Sequence, residues 1–297
     1  MRSFEYLAPS TLQDALAALH QRENASVLAG GTDLILRLKR REQSPSTLVD
    51  IKRIEELDGL ETGVHGLSIG AGVTMSRIEA SAVVRQDYAG LHAGAATVGS
   101  AQIRNRATVV GNVCNATPCA DTVPPLVVLQ AQVRMSSQGG ERRLPLEQLF
   151  TGPGTTVVRP DEIVVSVEVP LPEPGTGSAY ARHSTRAAMD LAAAGVAVAL
   201  TLEDDNETCR RAHIALGAVA PTPIRASQAE DILSGQALTP ALVAEAARVA
   251  STEARPISDV RASAEFRQEI VRVLAARTIQ AAAADAQRRQ AMSRRSG

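Results

Sequence analysis

Residues 170–177 (PLPEPGTG) hold three prolines and two glycines near the middle of a 297-residue chain. Proline fixes φ and lacks an N–H, so neither a helix interior nor a central strand runs through such a segment. The pattern also changes across it, which predicts two domains. Ahead of it the periodicity predicts a helix over 10–22, with Ser10-x-x-Gln13 as a capping box and Leu12, Ala15, Leu16 and Leu19 as one apolar stripe. Strands are predicted over 26–29, 47–51, 67–72, 132–135 and 162–169, and a helical stretch over 78–96 with a break at Gly90. Residues 59–66 read as turn-rich and 151–154 as a loop. Beyond 177 come two long strands, 193–202 and 210–219, around a hairpin-like turn at 203–206. Helices follow, one opening at Thr239-Pro240 and one near Ser263 that places Phe266, Ile270 and Leu274 on one face. The basic tail, 288–297, is expected to fray.

Two loops carry the chemistry. Strand 26–29 leads into Gly30-Gly31-Thr32-Asp33 and then a helix through Leu34 to Arg40. Strand, Gly-Gly, helix is the layout in which free helix N–H groups and the dipole hold a pyrophosphate. Asp33 complicates it, because a carboxylate repels phosphate; Asp33 is expected to cap backbone amides while the N–H groups face the ligand. A tight turn with an N-cap and no ligand is the alternative for this segment. The second loop lies in 102–131, which passes from Arg104 and Arg106 through Thr108, Gly111 and Asn112 to Asn115, Asp121 and the apolar run 126–129. Gly111 has no Cβ to keep a ligand from the backbone. Thr108, Asn112 and Asn115 suit phosphates and hydroxyls, and Asp121 suits a ribityl chain or ribose. An ordinary Gly/Asn/Pro loop feeding a core helix is again the alternative. A diphosphate cofactor bound between two subdomains explains both loops together.

Other chemistries fall away. The formal net charge is −1, which gives no electrostatic case for nucleic acid or an anionic membrane, and three Phe, three Tyr and no Trp make no base-stacking platform. Lys39 and Lys52 are the only lysines, a bias toward arginine that reads as coding composition. MRSFEYLAPS has no apolar core of a signal peptide, and no window approaches a membrane span. Cys114, Cys119 and Cys209 are few and odd in number, which fits a reducing cytoplasm. Cys114-x4-Cys119 lacks the C-x2 continuation of an iron–sulfur spacing, and His20, His65, His92, His183 and His213 are scattered. Gly70-x-Gly72 has Met75 where a Rossmann fingerprint has its third glycine.

In order along the chain stand Ala29-Gly30-Gly31-Thr32-Asp33-Leu34, Gln102-Ile103-Arg104-Asn105, Ala107-Thr108-Val109-Val110-Gly111-Asn112, Asn115-Ala116-x-Pro118-x-x-Asp121 and Tyr180-x-Arg182…Arg186…Asp190-Leu191-Ala192. Together they resemble the FAD-binding medium subunit of molybdenum hydroxylases, the group of carbon monoxide dehydrogenase and xanthine dehydrogenase. The likeness runs from Phe4-x-Tyr6…Pro9 to Arg261-Ala262-Ser263…Phe266-Arg267. It implies an α+β fold: a vanillyl-alcohol-oxidase (PCMH)-type FAD domain over 1–175, in subdomains of about 1–55 and 56–175. A C-terminal domain over 178–285, with a three-stranded antiparallel sheet and helices, and a tail over 286–297 would follow. By the resemblance, Ala29, Gly30, Gly31, Thr32, Asp33 and Leu34 hold the FAD pyrophosphate, and Thr108, Gly111 and Asn112 contact the phosphates and flavin side. Asp121 would bind the ribityl or nearby hydroxyls, Val164 or its neighbour Ile163 the ring system, and Tyr180 and Arg182 would sit near the isoalloxazine. Two departures stand out: Val110 replaces the first Gly of a Gly-Gly-Asn loop, and Arg182 stands where many relatives have lysine.

The resemblance implies an electron-transfer subunit. Substrate hydroxylation would occur on a large molybdopterin-binding partner, and electrons would reach FAD here through [2Fe–2S] clusters on a small partner, in a dimer of heterotrimers. They would leave to NAD, a quinone or another acceptor. No general base is assigned and no metal is expected on this chain. The alternative is a stand-alone FAD-dependent oxidoreductase of the same fold acting on a small molecule.

Overall fold

A computed structural model describes residues 1–186 and 188–296. The described residues build three larger sheets in succession and one two-stranded hairpin. The first is parallel: strand Thr47–Asp50 lies between Glu5–Leu7 and Ala25–Leu28. Parallel neighbours need crossovers, which the helices Leu12–His20 and Leu34–Arg40 serve. The first of these helices is capped one residue later than Ser10 predicts. Thr11 is the N-cap, and its Oγ1 accepts from the Asp14 N–H at 3.1 Å. The Thr11 hydroxyl in turn donates to Asp14 Oδ2 at 2.7 Å.

The second sheet is antiparallel, in the order Leu60–Gly63, Gly66–Gly70, Ile163–Pro170, Gln132–Ser137, Gly140–Pro145. Half of the stretch read as turn-rich is therefore an edge strand, and 151–154 belongs to a small hairpin of Phe150–Gly152 with Thr155–Thr156. The expected long helix over 78–96 is three helices, Met75–Ala80, Ala82–Asp87 and Ala89–Thr97. It breaks at Ser81 and Tyr88, not at Gly90. Ser81 adopts extended backbone and its Oγ accepts from the Val84 N–H, ending one helix and starting the next. Gly90 has a different task. Its N–H donates to Ser178 Oγ at 3.0 Å, and a Cβ there would lie 3.3 Å from the Ala179 backbone, so it is one of the places where the two halves of the chain touch.

The third sheet holds the long strands Thr176–His183, Ala194–Leu202 and Thr208–Gly217, with Ile224–Arg225 and Gln236–Ala237 as short additions on the last. The helix Ala264–Ser296 crosses it. Gly177 lets that helix lie directly on the sheet, because a Cβ would sit 2.2 Å from the Ala286 nitrogen. The helix buries Val271, Ala275, Ile279, Ala282 and Ala286. Phe266 is not on that stripe: it is half-exposed and meets the His183 ring edge-on at 5.7 Å. Of the tail 288–297, expected to fray, residues 288–296 continue the helix, and Gly297 lies outside the described residues. Arg289 donates to the carbonyls of Thr176 and Asp87 at 2.8 and 3.0 Å, and Arg294 to that of Asp204.

Candidate functional site

Strand Ala25–Leu28 ends under the first glycine loop, and the chain reverses there with Gly31 at φ +76°, a conformation that favours glycine. Gly30 is required for a different reason. A Cβ on it would lie 2.0 Å from the carbonyl oxygen of Arg106. The two loops singled out from the sequence are thus pressed backbone to backbone. Among the described residues, the N–H groups of residues 30–34 find no acceptor within the protein. A run of unpaired amides at the head of a helix is an anion cradle. Asp33 does not cap them. It lies in helical conformation (φ −97°, ψ −47°) and makes no side-chain cap bond, because a side chain caps from extended backbone.

The second loop is a conventional N-cap. Thr108, buried and extended, accepts from the Gly111 N–H at 3.0 Å and starts the helix Val109–Asn115. A Cβ on Gly111 would lie 2.8 Å from that same hydroxyl, so this glycine serves the cap as well as any ligand. Val110 causes no distortion: it sits in the first turn of the helix and packs into the core. Asn112 turns its Oδ1 to the Thr122 hydroxyl at 2.7 Å.

These loops form one wall of a cleft of about 910 Å³, near the upper end of the usual range for ligand pockets. Ala29, Gly30, Gly31, Thr32, Asp33, Leu34, Thr108, Gly111, Asn112, Asp121 and Val164 all line it. Tyr180 and Arg182 do not face the cleft; they stand behind Asp121. The Tyr180 hydroxyl donates to Asp121 Oδ1 at 2.7 Å and Arg182 Nη1 to Oδ2 at 2.6 Å, with Arg182 also donating to the Asp190 carbonyl at 3.1 Å. The strand register sets this up. Arg182 pairs with Gly195, and a Cβ on Gly195 would lie 2.7 Å from the Tyr180 hydroxyl oxygen. Burial pushes the Asp121 carboxyl up against the pull of Tyr180 and Arg182, and burial followed by the Asp121 charge pushes the Tyr180 hydroxyl well above its ordinary range.

Other lining residues escaped the sequence reading as site residues. Glu162 takes two hydrogen bonds from Arg142, at 2.7 and 2.8 Å, which hold its carboxyl below the usual range. Arg37, Met189, Asp190, Leu191 and Arg261 also face the cleft. Asp190, Leu191 and Arg261 lie inside the quoted motifs; Arg37 does not. Cys114 and Cys119 are free thiols on the wall. Among the described residues no group of three His, Cys, Asp or Glu side chains is placed to hold a metal, and no helix is long and apolar enough to cross a membrane.

The family model of the FAD binding domain in molybdopterin dehydrogenase matches residues 2–172, and that of the CO dehydrogenase flavoprotein C-terminal domain matches 179–282. The chain belongs to the FAD-binding medium subunits of molybdenum hydroxylases. It is similar to the glyceraldehyde dehydrogenase medium chain of Sulfolobus acidocaldarius, 35% identical over 91% of this chain and 95% of that one. It is 32% identical to the xanthine dehydrogenase FAD-binding subunit of Escherichia coli O157:H7, over 95% and 96% of the two chains. The solved carbon monoxide dehydrogenase from Hydrogenophaga pseudoflava superposes with a TM-score of 0.90 at 32% identity, covering 96% of this chain and 98% of that one. For a medium subunit of this family the cleft fits FAD on its own chemistry. It offers unpaired amides for a diphosphate, and its buried carboxylates Asp121 and Glu162 are each neutralised from behind by an arginine.

Proposed function

We propose that this chain binds FAD in the cleft and serves as the electron-transfer subunit of a molybdenum hydroxylase, with hydroxylation carried out on a large molybdopterin-binding partner. The observation that carries the reading is the row of unpaired amides over 30–34, seated against the 106–107 backbone at the head of one large cleft. Those amides would hold the diphosphate. Asp121, fixed by Tyr180 and Arg182, would accept from a ribityl hydroxyl. Val164 and Ile163 would supply apolar contact to the ring. When bound, FAD supplies the redox chemistry, taking electrons one at a time and releasing them in pairs. The chain supplies binding, orientation and the electrostatic setting. Electrons would come from [2Fe–2S] clusters of a small partner and leave to NAD, a quinone or another acceptor. The assembly would be a dimer of heterotrimers in the cytoplasm, a location supported by the free thiols of Cys114, Cys119 and Cys209.

Native purification through a tag on this chain tests the reading. Flavin and iron–sulfur absorption, with one large and one small chain in equal amounts, is the expected result. A yellow protein eluting alone would overturn the multi-subunit reading, and a colourless one that takes up no FAD would overturn the whole of it.

A further inference from the structure

Arg37 is the odd arginine of this molecule. Among the described side chains, every other arginine that is half-buried or buried pairs with a carboxylate, as Arg104 does with Glu79, Arg142 with Glu162 and Arg289 with Asp87. Arg37 is half-buried and its guanidinium has no such partner. One is within reach in principle. Asp33 lies four residues earlier, the Asp-to-Arg spacing at which helix pairs form, and the Arg37 N–H donates to the Asp33 carbonyl at 3.0 Å. The guanidinium does not take the Asp33 carboxylate, and Arg37 lines the cleft. A guanidinium partly withdrawn from water without a counter-charge is unfavourable, and a planar fork of donors matches phosphate oxygens.

The surroundings point the same way. Apart from Asp33, the carboxylates on the cleft wall are already answered. Asp121 is held by Arg182, Glu162 by Arg142, and Asp190 by the amides of Arg186 and Leu191, which hold its carboxyl below its ordinary range. Arg37 is one helical turn beyond the unpaired amides of residues 30–34, on the helix those amides head. Backbone amides carry only partial charges and the Asp33 carboxylate opposes them, so the loop alone leaves a dianionic group under-neutralised.

We propose that Arg37 is the cation that neutralises the diphosphate of the cofactor, offsetting Asp33. The inference rests on the reading that the cleft binds FAD. It assigns a binding role to Arg37 and none to Lys39 and Arg40 of the same helix, which are exposed and do not line the cleft.

The test uses the deflavinated protein, full chain in its native assembly, titrated with FAD and with riboflavin, which keeps ring and ribityl chain but has no phosphates. Wild type, Arg37→Gln and Arg37→Lys are compared at low and high ionic strength. Losing a charge-assisted bond to phosphate is expected to weaken FAD binding by about tenfold or more in Arg37→Gln. Arg37→Lys should recover most of it, the salt dependence of FAD binding should shrink in Arg37→Gln, and riboflavin binding should not change. Unchanged FAD binding in Arg37→Gln overturns the assignment and leaves the FAD reading intact. Equal weakening of FAD and riboflavin with the salt dependence kept shows a merely structural role and also overturns it. Should Arg37→Gln not fold, wild type carries the test: FAD binding no more salt-dependent than riboflavin binding overturns the assignment. Failure of wild type to bind FAD overturns both.

Discussion

Gly30 faces the carbonyl of Arg106 so closely that a single added carbon would sit 2.0 Å from its oxygen. The contact is between backbones, so no side chain can swing away. Gly30→Ala must separate the two loops, at a cost of roughly 1–3 kcal/mol by analogy with overpacked cores. The expected outcome is a lower melting temperature for the cofactor-free chain and weaker FAD binding, read by thermal denaturation and by fluorescence titration. Thr32→Ala, in the same loop without that contact, should leave the melting temperature in place.

Arg182 and Tyr180 share one carboxylate. Removing the Tyr180 hydroxyl by Tyr180→Phe leaves Asp121 with the guanidinium, a loss of about 1–3 kcal/mol of stability. Arg182→Ala leaves a buried carboxylate with no counter-charge, a loss of about 3–5 kcal/mol. Urea denaturation of the two variants should rank them in that order. Because both residues stand behind Asp121, the double variant should lose less than the sum of the singles.

Glu162 makes acid sensitivity predictable. Arg142 and the Arg159 amide hold its carboxyl below the ordinary value of 4.5. A carboxyl lowered on folding adds stability that is full above the unfolded value and is lost as pH falls through the folded one. The melting temperature of wild type should therefore drop as the pH falls below about 4.5. Glu162→Gln should be less stable at neutral pH and flatter on the acid side. A variant with an acid limb as steep as wild type would show that Glu162 does not drive it.

Gly177 sets how closely the C-terminal helix meets its sheet. Gly177→Val should push the Ala264–Ser296 helix outward, since even a Cβ would lie 2.2 Å from the Ala286 nitrogen and 2.3 Å from the Ala282 carbonyl oxygen. Amide hydrogen exchange should then rise over residues 275–290. Unchanged exchange there would show that the contact is not the one that seats the helix.

How much of this was legible in the sequence depended on distance along the chain. Gly30 and Gly31 between a strand and a helix, and Thr108 three residues before Gly111, are local patterns, and both loops fold as their residues dictate. Asp33 misled because its type favours capping while its backbone is already helical. The break at Gly90 was misplaced for the opposite reason: that glycine answers a neighbour far along the chain, Ala179, and not its own helix. Tyr180 and Arg182 were found through resemblance, yet their position behind Asp121 depends on strand register and on packing between distant segments. Arg37 carried no signal in a chain whose basic residues are nearly all arginine; only the absence of a partner marks it. The tail looked free because its composition is polar, and its anchors are backbone carbonyls and the distant Asp87 carboxylate, which composition does not reveal.

The central claim, that the amides over 30–34 hold the cofactor, is best tested by hydrogen–deuterium exchange of the full chain with and without FAD. Protection of residues 30–34 on FAD addition, extending to 108–112 and absent with riboflavin over 30–34, is the result the account predicts. FAD bound at saturation with exchange over 30–34 unchanged would contradict it.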